Sequence, residues 1–334
     1  MTAQAPPPLD FVVGLPRSGS TWLGRALDRH SAVAVFGETC FYGRLYVPPR
    51  EDGLYGEEEL ERLRCIQRAR DWETTTSDLT GGNPPWRPGE YAELVDEVFA
   101  GLQPPVRPEE VLTAIATAVA ARSSKPRAVE KTPQHVHWLP RMAEAFPSAR
   151  FVITLRGPYE YTASYKRLGR RLEGRAKKAV DLSWRHPLIA ALFWRSYARS
   201  INRALAGYPE RTLLVRTEDL RDRTGETLAG VQAFLELPEQ DLRGAEGANS
   251  SFREGESRTL RATDVFWMNL VAGRAMRSSG YRPVPAKPGV VATAVSIALA
   301  PLSVAATAVR IPSMVPGSFV SYVQGWRRRW NAGA

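Results

Sequence analysis

Short, continuous apolar runs occupy residues 11–15, 33–36, 151–155 and 212–215, with a weaker one at 127–129. Between them, apolar positions recur at helical spacing over about 21–29, 91–121, 138–145, 158–171, 187–206 and 225–236. A strand with one wet face alternates apolar and polar residues, whereas a strand buried on both faces is apolar throughout. Unbroken apolar strands alternating with helices therefore predict an α/β fold with a central parallel β-sheet flanked by helices. No internal repeat breaks this order.

The pattern lapses between residues 41 and 90, where Pro48-Pro49, Gly81-Gly82 and Pro84-Pro85 punctuate the chain. This stretch reads as an irregular insertion. Its aromatics, Tyr42, Tyr46, Tyr55, Trp72 and Trp86, argue for an ordered segment that either lines a pocket or packs on the core. A second lapse begins near residue 284. From Pro288 to Val309 there is no charged residue, and Trp326, Arg327, Arg328, Arg329 and Trp330 follow. An apolar run ending in aromatic and basic residues suits a membrane surface; a helix docked on the domain is the other reading.

Composition narrows the class. With 334 residues, 43% of them hydrophobic and 24% charged, the chain suits one large α/β domain, expected over 11–283. Residues 1–10 read as a short disordered lead-in with no secretory signal, and 284–334 as a basic, apolar tail. Cys40 and Cys65 are too few for a disulfide framework and lack the spacing of a zinc site. A cytoplasmic protein is expected, either free or peripheral to the inner face of the membrane. The net charge of +10 is local, because no Asp or Glu follows Asp264 and eight Arg and Lys do. No nucleic-acid partner is expected for the main domain. Nothing in the sequence points to a particular oligomeric state.

The sharpest motif is Gly14-Leu-Pro-Arg-Ser-Gly-Ser-Thr21, which follows the first apolar run and opens a helix at Trp22 and Leu23. A strand, a glycine-containing loop and a helix N-terminus bind phosphate, because unpaired N–H groups and the positive helix end face the anion. Gly14, Gly19 and Thr21 fall where a nucleotide-hydrolase P-loop has its glycines and hydroxyl, but the lysine before that hydroxyl is replaced by Ser20. The cation has moved to Arg17.

The run Pro16-Arg17-Ser18-Gly19-Ser20-Thr21-Trp22-Leu23 resembles the 5′-phosphosulfate loop of the sulfotransferases that use 3′-phosphoadenosine 5′-phosphosulfate (PAPS), with the tyrosylprotein and glycan branch as the nearest pattern. The resemblance implies a P-loop nucleotide-hydrolase-like sulfotransferase fold. It implies that Arg17, Ser18, Gly19, Ser20 and Thr21 surround the 5′ phosphate and sulfate, and that Trp22 stacks on adenine. Arg156 ends another apolar run, and Ser164 stands eight positions later in a helical stretch. They resemble the family's 3′-phosphate pair, a forked, permanently charged donor with a neutral one.

Sulfuryl transfer needs a base for the acceptor proton and positive charge on the leaving oxygen. Glu38, in Phe36-Gly37-Glu38-Thr39, matches the family's catalytic glutamate, with a salt-bridged loop glutamate as the bland reading. Lys131, in Glu130-Lys131-Thr132-Pro133, resembles a lysine that approaches the bridging oxygen; Arg17 joins it as a catalytic cation. His135 is a weaker candidate for contact with acceptor or cofactor. The four histidines form no ligand set, and no metal is expected. Where the family often has Tyr-Glu-Asp this chain has Thr217-Glu218-Asp219.

The expected reaction moves a sulfuryl group from PAPS to a hydroxyl or amine of a small-molecule, glycan or lipid-linked acceptor. One alternative is a P-loop kinase or nucleotide hydrolase. Another is a membrane-bound, non-catalytic nucleotide-binding protein.

Overall fold

The computed structural model describes residues 8–43, 45–70, 89–176, 186–244 and 260–313. Its centre is a five-stranded sheet of β1 (Leu9–Gly14), β2 (Val33–Gly37), β3 (Arg127–Lys131), β4 (Phe151–Leu155) and β5 (Thr212–Arg216), in the order β2-β3-β1-β4-β5. Every pairing is parallel. β1 opens at Leu9, earlier than the expected residue 11, and β3 runs on to Lys131 past the end of its apolar run.

Successive side chains of a strand point to opposite faces, and here both faces are buried, with the edge strand β5 half-buried at Leu213 and Leu214. Phe11, Val13 and Leu15 join Phe151 and Ile153 on one face, covered by α4 (Pro108–Arg122), α5 (Leu139–Ala145) and α7 (Pro187–Gly207). Val12, Val35, Val152 and Val215 lie on the other, under α1 (Ser20–Asp28) and α9 (Thr224–Phe234). Each such buried side chain contributes about 1.5–3 kcal/mol relative to exposure. Two-sided burial is why the strands read as unbroken apolar runs.

Two expectations are corrected. The helix expected over 91–121 is two: α3 (Glu90–Gly101) and α4, separated by a stretch holding Pro104 and Pro105, which cannot continue a helix. The insertion is not irregular throughout, since it forms α2 (Glu57–Arg68). Its aromatics Tyr42, Tyr46 and Tyr55 belong to the core. Tyr42 and Tyr46 stack at 5.9 Å, Tyr46 lies 4.9 Å from Trp138, and the Tyr55 hydroxyl donates to Val47 O at 2.7 Å. Trp72, Trp86 and residues 326–330 lie outside the described residues.

The remaining helices are α6 (Pro158–Ala176), α8 (Thr217–Asp222), α10 (Ala262–Ser278) and α11 (Val290–Ser313). The chain leaves β1 toward β2 on one side and leaves β4 toward β5 on the other. Adjacent strands whose connections part in this way open a crevice at their carboxyl ends, the usual ligand position in such sheets.

Candidate active site

Two segments flank that crevice. After β1 the chain turns sharply. Gly14 has φ 132°, and a Cβ there would lie 2.2 Å from Thr154 O of β4, so β1 and β4 approach too closely for any side chain. Arg17 (φ 69°) and Gly19 (φ 86°) both adopt left-handed conformations, and Gly19 caps α1. The loop therefore wraps over the helix N-terminus, whose first-turn N–H groups have no partner within the helix. Ser20 is buried, while Thr21 and Trp22 are half-buried.

Ser18 stands in this loop with its hydroxyl buried between Leu15 O and Thr154 Oγ1, the latter at 2.6 Å. Thr217, at the start of α8, donates its hydroxyl to Ser18 O at 2.7 Å. It braces the loop from behind.

After β4, the expected Arg156 and Ser164 come to the same place as Arg17. Arg156 Nη1 donates to Arg17 O at 3.2 Å, and Arg17 Nε donates to Ser164 Oγ at 3.5 Å. Trp194 Nε1 fixes Arg156 from below by donating to its carbonyl at 3.0 Å. Burial pulls the Arg156 pKa below its ordinary value, with Glu160 and Glu218 opposing and the cations Arg17 and Arg167 reinforcing the shift. Two cations close enough to feel each other, one buried and one half-buried, suit a multiply charged anion. Gly157 completes the turn: its N–H donates to Glu218 Oε1 at 2.7 Å, and a Cβ would lie 2.2 Å from Glu160 Oε2.

Glu38 and Lys131 meet at the ends of β2 and β3. Lys131 Nζ donates to Glu38 Oε1 at 2.9 Å, with the Lys131 side chain 5% exposed and that of Glu38 20%. Gly37 pairs with Lys131 across the strands, and a Cβ there would lie 2.3 Å from Lys131 O.

Beneath this ion pair lies a buried network centred on Glu130. Its Oε1 accepts from Thr39 N at 3.3 Å, from Thr39 Oγ1 at 2.8 Å and from the Thr132 hydroxyl. Its Oε2 lies 3.0 Å from His135 Nδ1. Tyr42 N–H donates to His135 Nε2 at 3.2 Å, which leaves the proton of the neutral ring on Nδ1, facing Glu130. Burial works to raise the Glu130 pKa, but His135 and the two threonine hydroxyls outweigh it and hold the carboxyl below its ordinary value. His135 is wholly buried and so is a part of this scaffold rather than a contact for acceptor or cofactor.

The Glu38 segment is also gripped from the insertion. Arg70 donates twice to Glu38 O, at 2.9 and 2.6 Å, and Gln67 Nε2 donates to Thr39 O at 3.1 Å. Cys40, two residues past Glu38, holds φ 48°. Strained, over-determined backbone of this kind collects at functional sites. Among the described residues, no group of three or more His, Cys, Asp or Glu is arranged to hold a metal ion.

The sequence profile described as "Sulfotransferase family" matches residues 8–241, which include all of these groups. The chain belongs to the sulfotransferase family. No curated protein matches it. The sulfotransferase domain of a Synechococcus olefin synthase is 19% identical, covers 85% of this chain and 98% of its own, and superposes with a TM-score of 0.52. At that identity it shows the shared fold. The sulfotransferase domain from the curacin biosynthetic pathway is 20% identical, covers 74% and 80%, and has a TM-score of 0.47. A sulfotransferase from Mycobacterium avium is 17% identical, covers 83% and 76%, and also scores 0.47.

In this sulfotransferase, several residues around the candidate site carry little or no local sequence signal. Gln67 and Arg70 carry no local signal, because their partners Thr39 and Glu38 stand 28 and 32 positions away. Glu130 had a signal, a charged residue inside a strand buried on both faces. Glu218, on α8, accepts from Gly157 N and Tyr281 OH.

Proposed function

We propose that this sulfotransferase takes its sulfuryl group from PAPS and passes it to a hydroxyl or amine by direct displacement at sulfur. The observation that carries the reading is the convergence of Arg17, Arg156 and Ser164 in the crevice between β1 and β4, beside the Glu38–Lys131 pair. The residues fit the donor: a left-handed loop at a helix N-terminus for the 5′ phosphosulfate, and a buried, always-charged guanidinium with a hydroxyl for a 3′ phosphate. Arg17 and the N–H groups of residues 18–21 would hold the 5′ end, with the Ser18 contribution through its backbone. Trp22 would offer its ring to adenine.

Glu38 accepts the acceptor's proton as the acceptor oxygen or nitrogen attacks sulfur. The bond from sulfur to the bridging oxygen breaks, and that oxygen keeps the electron pair as part of 3′-phosphoadenosine 5′-phosphate. Lys131 and Arg17 offset the charge that develops there. Because Lys131 lies beside Glu38 in this structure, binding of the donor would draw the ammonium from the carboxylate toward the leaving oxygen, freeing the base.

The same reading takes a small-molecule, glycan or lipid-linked acceptor and a position at the inner face of a membrane, supported by the aliphatic and basic C-terminal segment. Incubation with PAPS and a panel of alcohols, phenols, amines, glycans and lipid-linked sugars tests it. Acceptor-dependent release of 3′-phosphoadenosine 5′-phosphate supports the reading. Magnesium-dependent turnover of ATP, with PAPS untouched, overturns it in favour of a kinase or hydrolase.

A further inference from the structure

A soluble protein's surface helix turns its aliphatic side to the core and its polar side to water. Helix α11 does the reverse. Thr293 and Ser296 are half-buried, and Ala300 and Ser303 are buried, at the spacing of one helical face. This small, polar face is fastened to the domain: Trp267 Nε1 donates to Ser296 Oγ at 2.6 Å, and His186 Nε2 lies 2.8 Å from Ser296 O. The aliphatic side chains face outward. Val290, Val291, Val295, Ile297, Leu299, Leu302 and Val304 are all between 40% and 86% exposed. Contiguous exposed aliphatic surface of this kind marks an interaction site.

We propose that the outward face of α11 docks on an anionic lipid bilayer, lying in the interface rather than crossing it. Among the described residues, no helix is long and apolar enough to cross a membrane. Charge selects the occupant. Every charged residue after Asp264 is cationic, and Arg274, Arg277, Arg282 and Lys287, on α10 and the linker into α11, are exposed. A second copy of the chain would bring the same positive charge to the contact, whereas an anionic headgroup layer neutralises it. Trp326 and Trp330, bracketing three arginines, extend the same chemistry along the sequence.

The surface is also coupled to the candidate site. The linker between α10 and α11 is tied to residues beside Arg156: Arg216 donates to Ser279 O at 2.8 Å, Tyr281 OH lies 3.3 Å from Glu218 Oε2, and Val284 N donates to the Tyr159 hydroxyl at 2.7 Å. A bilayer held by α11 is therefore linked through one short segment to the edge of the donor crevice. This deepens the membrane-side reading above and selects an amphiphilic acceptor, delivered from the lipid layer.

The test is co-sedimentation of the full-length protein with vesicles of phosphatidylcholine containing phosphatidylglycerol, against vesicles of phosphatidylcholine alone. The wild type is expected to bind the anionic vesicles. The double variant Val295→Glu/Leu302→Glu changes two exposed positions and is expected to bind about a hundredfold more weakly, taking roughly tenfold per lost aliphatic contact. Its melting curve and its affinity for 3′-phosphoadenosine 5′-phosphate, both measured in solution, are expected to match the wild type, which separates failure of docking from failure of the sulfotransferase reading. Wild-type protein that stays in the supernatant with anionic vesicles overturns the proposal. So does a variant that still binds them fully, or a wild-type dimer that the double variant turns into a monomer while vesicle binding is absent in both.

Discussion

Replacing Glu130 with alanine removes the acceptor of three hydrogen bonds at once, from Thr39 N, Thr39 Oγ1 and the Thr132 hydroxyl, and the carboxylate that faces His135 Nδ1 at 3.0 Å. Thr39, Thr132 and His135 are all buried. Breaking a buried, hydrogen-bonded charge cluster by deleting one member costs about 3–5 kcal/mol. For a domain of this size that corresponds to a fall in Tm of about 10 °C. Glutamine in the same place keeps an oxygen for the threonines but turns an NH2 toward the Nδ1–H of His135, so Glu130→Gln loses about 1–3 kcal/mol. The pH dependence has a definite sign. Glu130 has a folded-state pKa below its ordinary value, so its contribution is full above the unfolded value of about 4.3 and disappears as pH falls through the folded one. The stability gap between wild type and Glu130→Gln should therefore narrow below about pH 4. Since Thr39 and Thr132 follow Glu38 and Lys131 directly, kcat should fall in the glutamine variant while affinity for 3′-phosphoadenosine 5′-phosphate changes little. Thermal denaturation from pH 3 to 8, with steady-state kinetics, reads all of this. An alanine variant that melts within a degree of wild type and turns over at the same rate would refute the role of the network.

Glu38→Gln removes the proton acceptor and should lower kcat by about 10²–10⁴ without weakening donor binding, since Lys131 no longer has to leave a carboxylate, as single-turnover kinetics and calorimetry would show. Lys131→Met should lower turnover most with natural PAPS and less with a donor whose leaving group is already a weaker base, a comparison that separates charge stabilisation from packing. Gly37→Ala forces a Cβ into Lys131 O and should both destabilise the fold and move the ion pair, visible as a lower Tm and a lower kcat together.

The strands and the two segments that flank the crevice were legible because two-sided burial and loop chemistry are local properties. Phe11, Val12 and Val13 are all apolar since each faces a core. The weak signal at 127–129 stopped short of Glu130 and Lys131 because the end of β3 carries the polar residues of the site. The helix read over 91–121 merged α3 with α4 because apolar spacing continues across the prolines that separate them. The bond of the Ser18 hydroxyl to Thr154 was not legible, because it depends on the register of β1 against β4. Tyr42, Tyr46 and Tyr55 fitted pocket and core equally well on composition, and only burial separates the two. The grip of Gln67 and Arg70 on the Glu38 segment depends on how α2 folds back, which no local pattern encodes.

The central claim is that Arg17, Arg156 and Ser164 form a clamp for a 3′-phosphorylated nucleotide. Calorimetric titration with 3′-phosphoadenosine 5′-phosphate, and in parallel with ADP plus magnesium, tests it directly. Charge-assisted hydrogen bonds contribute about 1.5–3 kcal/mol each, so the 3′ phosphate should tighten binding by roughly tenfold to a hundredfold or more. Arg156→Ala should abolish that preference. Equal or tighter binding of ADP by the wild type would contradict the clamp and the choice of donor with it.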